Sequence, residues 1–152
     1  MKQGFFEIIE NKPLTDSVYK MVLQGDTTAI TAPGQFVNIL LDGLYLRRPI
    51  SVCDVTGDLL TIIYKVVGKG TAQMSKMTTG KLDVLTGLGN GYDLSVSGDR
   101  PVLLGGGVEF LGNTFLTMLD KHCLHLLSYR PACLVDFKRP VYYFEFLGCH
   151  SC

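Results

Sequence analysis

The chain has 152 residues, of which 47% are hydrophobic, and its 14 basic side chains balance 14 acidic ones. This length holds one good-sized domain, or a domain plus a fragment, and the apolar share supports a packed core, so a chain disordered by composition is excluded. A net charge of zero excludes bulk attraction to nucleic acid or to an anionic membrane, although a local pair such as Arg47-Arg48 can still hold one phosphate group. No run approaches the roughly eighteen apolar residues of a spanning helix, so no membrane span is expected.

Met1 to Glu7 is charged again before an apolar leader can form, so no export signal is expected. The cysteine count is odd, at five. A cytoplasmic chain without disulfides is the expectation.

In chain order, short β-type runs alternate with turn signals. Phe5 to Glu10 reads as a strand stopped by Asn11-Lys12-Pro13. Val18 to Leu23 alternates with period two and ends at Gly25-Asp26. After a Pro33-Gly34 turn, Gln35 to Leu41 is rich in strand formers. An arginine-proline turn, Arg47-Arg48-Pro49, leads into Ile50 to Val55. Gly57-Asp58 marks a hairpin into Leu59 to Val67, the strongest strand pattern of the chain. Strands this short, at roughly 8–12 residue spacing, indicate a closed or sandwiched antiparallel sheet.

One helix interrupts them. Thr71 suits an N-cap, and two turns can run to Gly80. The preceding Gly68-Lys69-Gly70 leaves room at its first-turn amides, where an anion binds readily. Leu82 to Leu88 is a last strand with a glycine-rich exit.

Near Gly98-Asp99 the pattern changes. Val102 to Leu104 runs into Gly105-Gly106-Gly107, which reads either as the opening of a doubly wound nucleotide-binding domain or as a stump that never completes. A helix is expected from Phe115 to about Leu127. No complete βαβ unit is expected, because each needs about thirty residues or more. Cys149 and Cys152 form a lone spaced pair, and a metal site needs two such pairs, so no metal ligands are assigned.

Three features carry chemistry. Arg48 offers a planar fork for phosphate oxygens, which a lysine cannot match; the alternative is an ordinary surface turn. Arg47 beside it is expected to be a solvated neighbour. Tyr64 reads equally as a barrel residue or as a platform for an aromatic ring. All three histidines lie after residue 120, so no hydrolytic triad can be assembled.

Taken in order, Pro33-Gly34-Gln35-Phe36, Arg47 to Ser51, Tyr64 to Thr71, Gly87 to Tyr92 and Leu103 to Val108 resemble the ferredoxin reductase superfamily. Within it they are most similar to the electron-transfer subunit of NAD-dependent dihydroorotate dehydrogenase. The resemblance covers about residues 1–108. It implies an all-β antiparallel six-stranded barrel with one short helix, residues 1–98, that binds FAD. An incomplete or aberrant start of an α/β nicotinamide-binding domain would follow, residues 99–152.

The resemblance also implies electron transfer among NAD, FAD and a two-iron two-sulfur cluster. A catalytic dihydroorotate dehydrogenase subunit would be the partner, in a heterotetramer of pyrimidine biosynthesis. By position, Arg48, Pro49, Ile50 and Ser51 would form the flavin-binding turn, with Arg48 at the pyrophosphate and Ser51 at the reactive edge of the ring. Ile63, Tyr64 and Lys65 would line the ring and ribityl chain, and Gly70 and Thr71 would donate to the pyrophosphate.

Past Val108 this chain departs from the family, and the cluster's four-cysteine motif is absent. Aromatics, cysteines and histidines gather there instead, which leads to the expectation of a truncation or frame change near that residue. NAD and the cluster would then not be held by this chain. The corresponding expectation is an FAD-binding module without turnover, or a related subunit of the same superfamily.

Overall fold

The computed structural model describes residues 1–32 and 34–91, together with the backbone of Val102–Gly105 and His125–Ser128. Its elements in order are β1 (Lys2–Pro13), β2 (Val18–Gln24), β3 (Phe36–Leu40), β4 (Arg48–Thr56), β5 (Leu59–Lys65), α1 (Lys69–Met74), β6 (Lys81–Leu88), β7 (Val102–Gly105) and β8 (His125–Ser128). The first six strands close into an antiparallel barrel, β1-β2-β5-β4-β3-β6, as the sequence led us to expect. Among the described residues α1 is the single helix. No helix there is long and apolar enough to cross a membrane.

Alternation drives the closure. Met21 and Leu23, Val37 and Ile39, Leu60, Ile62 and Tyr64, and Leu82 and Val84 project inward from successive strands and are all buried. Each such side chain contributes about 1.5–3 kcal/mol by leaving water. A one-residue slip of any strand would turn its inward set to solvent, so the pattern also determines the register. The β4–β5 hairpin turns at Gly57, whose φ of 61° suits glycine in the left-handed region. Helix α1 adds Met74, fully buried, to the same core, and Met77 packs beside it.

Several boundaries differ from the sequence reading. Strand β1 does not stop at Asn11 but runs to Pro13, which pairs with Tyr19 at the strand's end. A bulge between Ile8 and Glu10 makes this possible. Phe6 and Ile8 face the core before it; after it the phase is reversed, and Asn11 turns toward Tyr64 while Glu10 and Lys12 pair outside.

Arg48 and Pro49 are likewise not a turn. They open β4, with Arg48 opposite Ile39 and Pro49 opposite Asn38. A proline is tolerated there because this part of β4 pairs with β3 alone. Pairing with β5 begins at Val52, opposite Ile62.

Helix α1 starts at Lys69, with Gly68 and not Thr71 as its N-cap. Thr71 is its third residue, and its Oγ1 accepts from the amides of Val67 and Gly68.

Strands β7 and β8 pair in parallel, Val102 opposite His125 through Gly105 opposite Ser128. The last three residues of the expected Phe115–Leu127 helix are therefore strand. The rest of that helix, Gly106, Gly107 and the cysteines from 123 onward lie outside the described residues.

Candidate functional site

The first half of β4 and the start of α1 come together at one end of the barrel. Arg48, Ile50 and Val52 share a face of β4, and Ile50 and Val52 pack against the core. Arg48, at the open end of that face, is half-buried and extends over α1. A Cβ placed on Gly70 would lie 2.1 Å from Arg48 Nε, 2.9 Å from its Cδ and 3.0 Å from its Cζ. The guanidinium thus rests directly on the Gly70 backbone, in space that any side chain at residue 70 would fill. Two motifs twenty-two positions apart in sequence meet in this contact.

Arg48 makes no ion pair among the described residues. Its Nη1 donates only to the carbonyls of Leu46 and Arg47. With Nη1 on backbone carbonyls and no carboxylate partner among the described residues, the charge of this half-buried guanidinium is not neutralised by an acidic side chain there. The first-turn amides of a helix, which have no intrahelical acceptor, lie beside it. Thr71 is buried, and its hydroxyl is engaged in the turn, also donating to the Gly68 carbonyl at 3.2 Å. Thr71 therefore shapes the glycine turn through its side chain.

The second part of the site is the place where β4 and β5 separate. Val52 and Ile62 are the last paired residues there, so Ser51 and Ile63 are the first to face each other without ladder pairing among the described residues. Pro49 and Ser51 are exposed on the outer face of β4; on β5, Lys65 is exposed and Ile63 partly so. A hydroxyl, an apolar side chain, a cation and an open strand edge thus border one gap.

Tyr64 alternates with Ile63 and Lys65 and points the other way. It is 2% exposed, stacks on Tyr19 with ring centroids 5.8 Å apart, and donates its hydroxyl to Asn11 Oδ1 at 3.0 Å. Burial pushes its phenol up to about 12. Its ring is occupied in the core, so what Tyr64 presents to the gap is backbone.

Asn11, which the sequence reading treated as a strand stop, completes this arrangement. Its Nδ2 donates to the carbonyls of Met74 and Met77, each at 2.8 Å, while its Oδ1 accepts from Tyr64. One amide therefore ties β1, β5 and the end of α1 together, and Gln73 ties α1 to the Asp42 carbonyl at 3.2 Å. An amide in a strand flanked by charged residues was the available signal, but only the bulge turns it inward.

Arg47 is not the solvated neighbour expected. It grips Asp83 of β6 with both Nη atoms, at 3.2 and 3.1 Å, and donates to the Asn38 carbonyl of β3 at 3.3 Å. The paired arginine holds the Asp83 carboxyl below the usual carboxylate range.

Comparison with known proteins gives the site a context. No protein-family model matches the chain. The dihydroorotate dehydrogenase B (NAD(+)) electron transfer subunit of Bacillus pumilus is 38% identical over 117 residues, 71% of this chain and 45% of that protein. The same subunit of Streptococcus mutans is 39% identical over 108 residues, 66% and 42%. At the level of family, the match is to dihydroorotate dehydrogenase B electron-transfer subunits and their ferredoxin-reductase-type barrel.

The chain spans less than half the length of these relatives of the dihydroorotate dehydrogenase B family. Among solved structures, an NADH-dependent reduced ferredoxin-NADP oxidoreductase matches with a TM-score of 0.66 at 27% identity, over 82% of this chain and 47% of that one. A ferredoxin NADP+ reductase from Neisseria gonorrhoeae, solved with bound FAD and NADP, matches with a TM-score of 0.68 over 84% and 57%. At 18% identity the latter is a likeness of fold alone.

The donor set at the barrel end fits such a dinucleotide. The absence of a side chain at residue 70 is what lets the Arg48 guanidinium lie on α1, and the β4–β5 gap offers a hydrogen-bonding edge beside an apolar wall.

Proposed function

We propose that this chain is the FAD-binding part of an electron-transfer subunit of NAD-dependent dihydroorotate dehydrogenase, an oxidoreductase component of pyrimidine biosynthesis working beside a catalytic dihydroorotate dehydrogenase subunit in the cytoplasm. The observation that carries this reading is the Arg48 guanidinium lying on the Gly70 backbone without a carboxylate partner among the described residues. Its relatives' names, which specify an electron transfer subunit, support it.

In this reading each residue has a physical task. Arg48 binds the pyrophosphate with its fork, and Gly70 leaves the approach open. Thr71 holds the Gly68 turn in the shape that keeps α1 against Arg48. Ser51 offers a hydroxyl to the polar edge of the ring, while Pro49 and Ile50 set the direction of that strand. Ile63 supplies an apolar wall, Tyr64 backbone hydrogen-bonding groups, and Lys65 a cation at the rim. A bound flavin would supply acceptance of a hydride and release of electrons; the protein contributes orientation and local charge.

The test is a visible absorption spectrum of the purified chain with added FAD, repeated anaerobically after NADH. Flavin bands that NADH bleaches are the expected result for the reductase. Bands that form but stay unbleached support the narrower reading, an FAD-holding module without turnover. A protein that takes up no FAD overturns the assignment of Arg48, Ser51 and Gly70.

A further inference from the structure

The arginine next to the proposed phosphate ligand has a different set of partners. Arg47 reaches the opposite way from Arg48, to Asp83 on β6, and the two groups meet fork to fork at 3.2 and 3.1 Å. The side chains of the pair are 20% and 17% exposed. Asp83 is gripped from its other side by Gln3 of β1, whose Nε2 donates to both carboxylate oxygens at 3.0 and 2.8 Å. Arg47 Nη1 also donates to the carbonyl of Asn38, the residue opposite Pro49 in the β3–β4 ladder. The grip therefore closes on the strand against which Arg48 and Pro49 are registered.

This matters because little else holds the start of β4. From Arg48 to Ser51 it pairs with β3 alone, and the residues before it include Tyr45 and Leu46, which are 97% and 66% exposed. A strand start entered from an exposed loop and paired on one side only is held less firmly than one paired on both. A bidentate arginine one residue upstream supplies a further hold, since a planar fork on a carboxylate defines direction as well as distance.

We propose that Asp83, acting through Arg47, is a positioning residue for flavin binding, holding the start of β4 so that the Arg48 guanidinium lies over Gly70. The inference rests on the reading of Arg48 as the pyrophosphate ligand. Asp83 touches no ligand in this scheme; it determines where Arg48 points.

The test compares affinity for FAD with affinity for riboflavin, which lacks the pyrophosphate, in the full chain and in Asp83→Asn, Arg48→Ala and the double variant. The expected result is that Asp83→Asn weakens FAD binding about tenfold, the size of coupling found within one hydrogen-bonded network, and leaves riboflavin binding unchanged. In the Arg48→Ala background the same substitution should have no further effect. Equal losses for both flavins, or a loss that persists without Arg48, would show that the pair merely supports the barrel and would overturn the proposal. So would unchanged FAD affinity in a folded Asp83→Asn protein.

Should that variant fail to fold, Arg47→Lys, which keeps the charge and loses the fork, is judged by the same comparison. If Arg48→Ala itself binds FAD as tightly as the parent chain, it is the functional reading that fails. If Arg48→Ala weakens FAD and Asp83→Asn does not, only the positioning role fails.

Discussion

The two sides of the barrel treat charge in opposite ways. Where β1, β3 and β6 meet, cations are paired: Arg47 is bound to Asp83, and Lys2 to Asp26 beyond the end of β2. Where β4, β5 and α1 meet, Arg48, Lys65 and Lys69 form no ion pair among the described residues. Charges that are paired with good geometry serve the fold, modestly when they are exposed. In the proposed reading, the half-buried Arg48 guanidinium, with only Nη1 engaged by backbone carbonyls, has N–H groups left for a phosphate. The difference teaches that two adjacent arginines, indistinguishable by composition, were recruited by opposite faces of one strand start.

The most severe way to break this comparison is to remove the core that both sides share. Ile62 is fully buried and pairs with Val52 at the point where β4 and β5 part. Ile62→Ala should cost about 2–5 kcal/mol in chemical denaturation. A loss below about 1 kcal/mol would mean that the barrel interior is not packed as described.

Arg48→Ala should divide the two sides cleanly. It should weaken FAD binding by about 2–3 kcal/mol, the worth of a charged hydrogen-bonding pair, while stability stays within about 0.5 kcal/mol. Titration of the flavin and a denaturation curve on the same preparation would show whether the effects separate in this way; unchanged affinity would remove Arg48 as the phosphate ligand.

Gly70→Ala sharpens the same point with one methyl group. The added Cβ must displace the guanidinium from its 2.1 Å position. Alanine is otherwise the better helix former by about 0.5–1 kcal/mol. Equal or higher thermal stability with FAD affinity lowered about tenfold is expected, on the order of 1.4 kcal/mol. Full affinity in the variant would show that the cradle is not used.

The smallest effects are those of pH, and their signs differ between the two groups. Asp83 is held below the usual carboxylate range by Arg47, so its contribution is complete above the unfolded value and is lost as pH falls through the folded one. Tyr64 is raised to about 12 by burial, so its contribution is complete below the ordinary tyrosine range and is lost as pH rises toward 12. Thermal unfolding followed against pH should show an acid limb that Asp83→Asn flattens and an alkaline limb that Tyr64→Phe flattens. If each limb survives its substitution unchanged, other groups govern it.

Much of this was legible from local chemistry. Period-two alternation in Val18 to Leu23 and the strand-forming run from Leu59 specified strands, and Gly57-Asp58 specified the hairpin between β4 and β5, because each follows from residues within it. That β2 pairs with β5 came from the structure. The pieces of the candidate site, Arg48, Ser51, Gly70 and Thr71, were also visible, since a fork cation, a hydroxyl and a glycine turn can be read one residue at a time.

What alternation cannot show is where it is broken. The bulge in β1 reverses the phase between Ile8 and Asn11, so the amide that ties α1 to Tyr64 looked like the end of a strand. Pro49 looked like a turn because the rule against proline in strands depends on which neighbours the strand has, and β4 changes neighbours at Val52.

The sequence by itself therefore determined a closed or sandwiched antiparallel sheet of short strands and the residue types proposed for the site, which follow from short-range pattern. The six-stranded barrel came from the family resemblance and its strand order from the structure. Only the tertiary structure decided that Arg47 belongs to Asp83 and Arg48 to Gly70, and that Tyr64 turns its ring to Tyr19. Those choices depend on contacts between residues up to 45 positions apart in the chain, and no local pattern encodes which partner lies across a closed sheet.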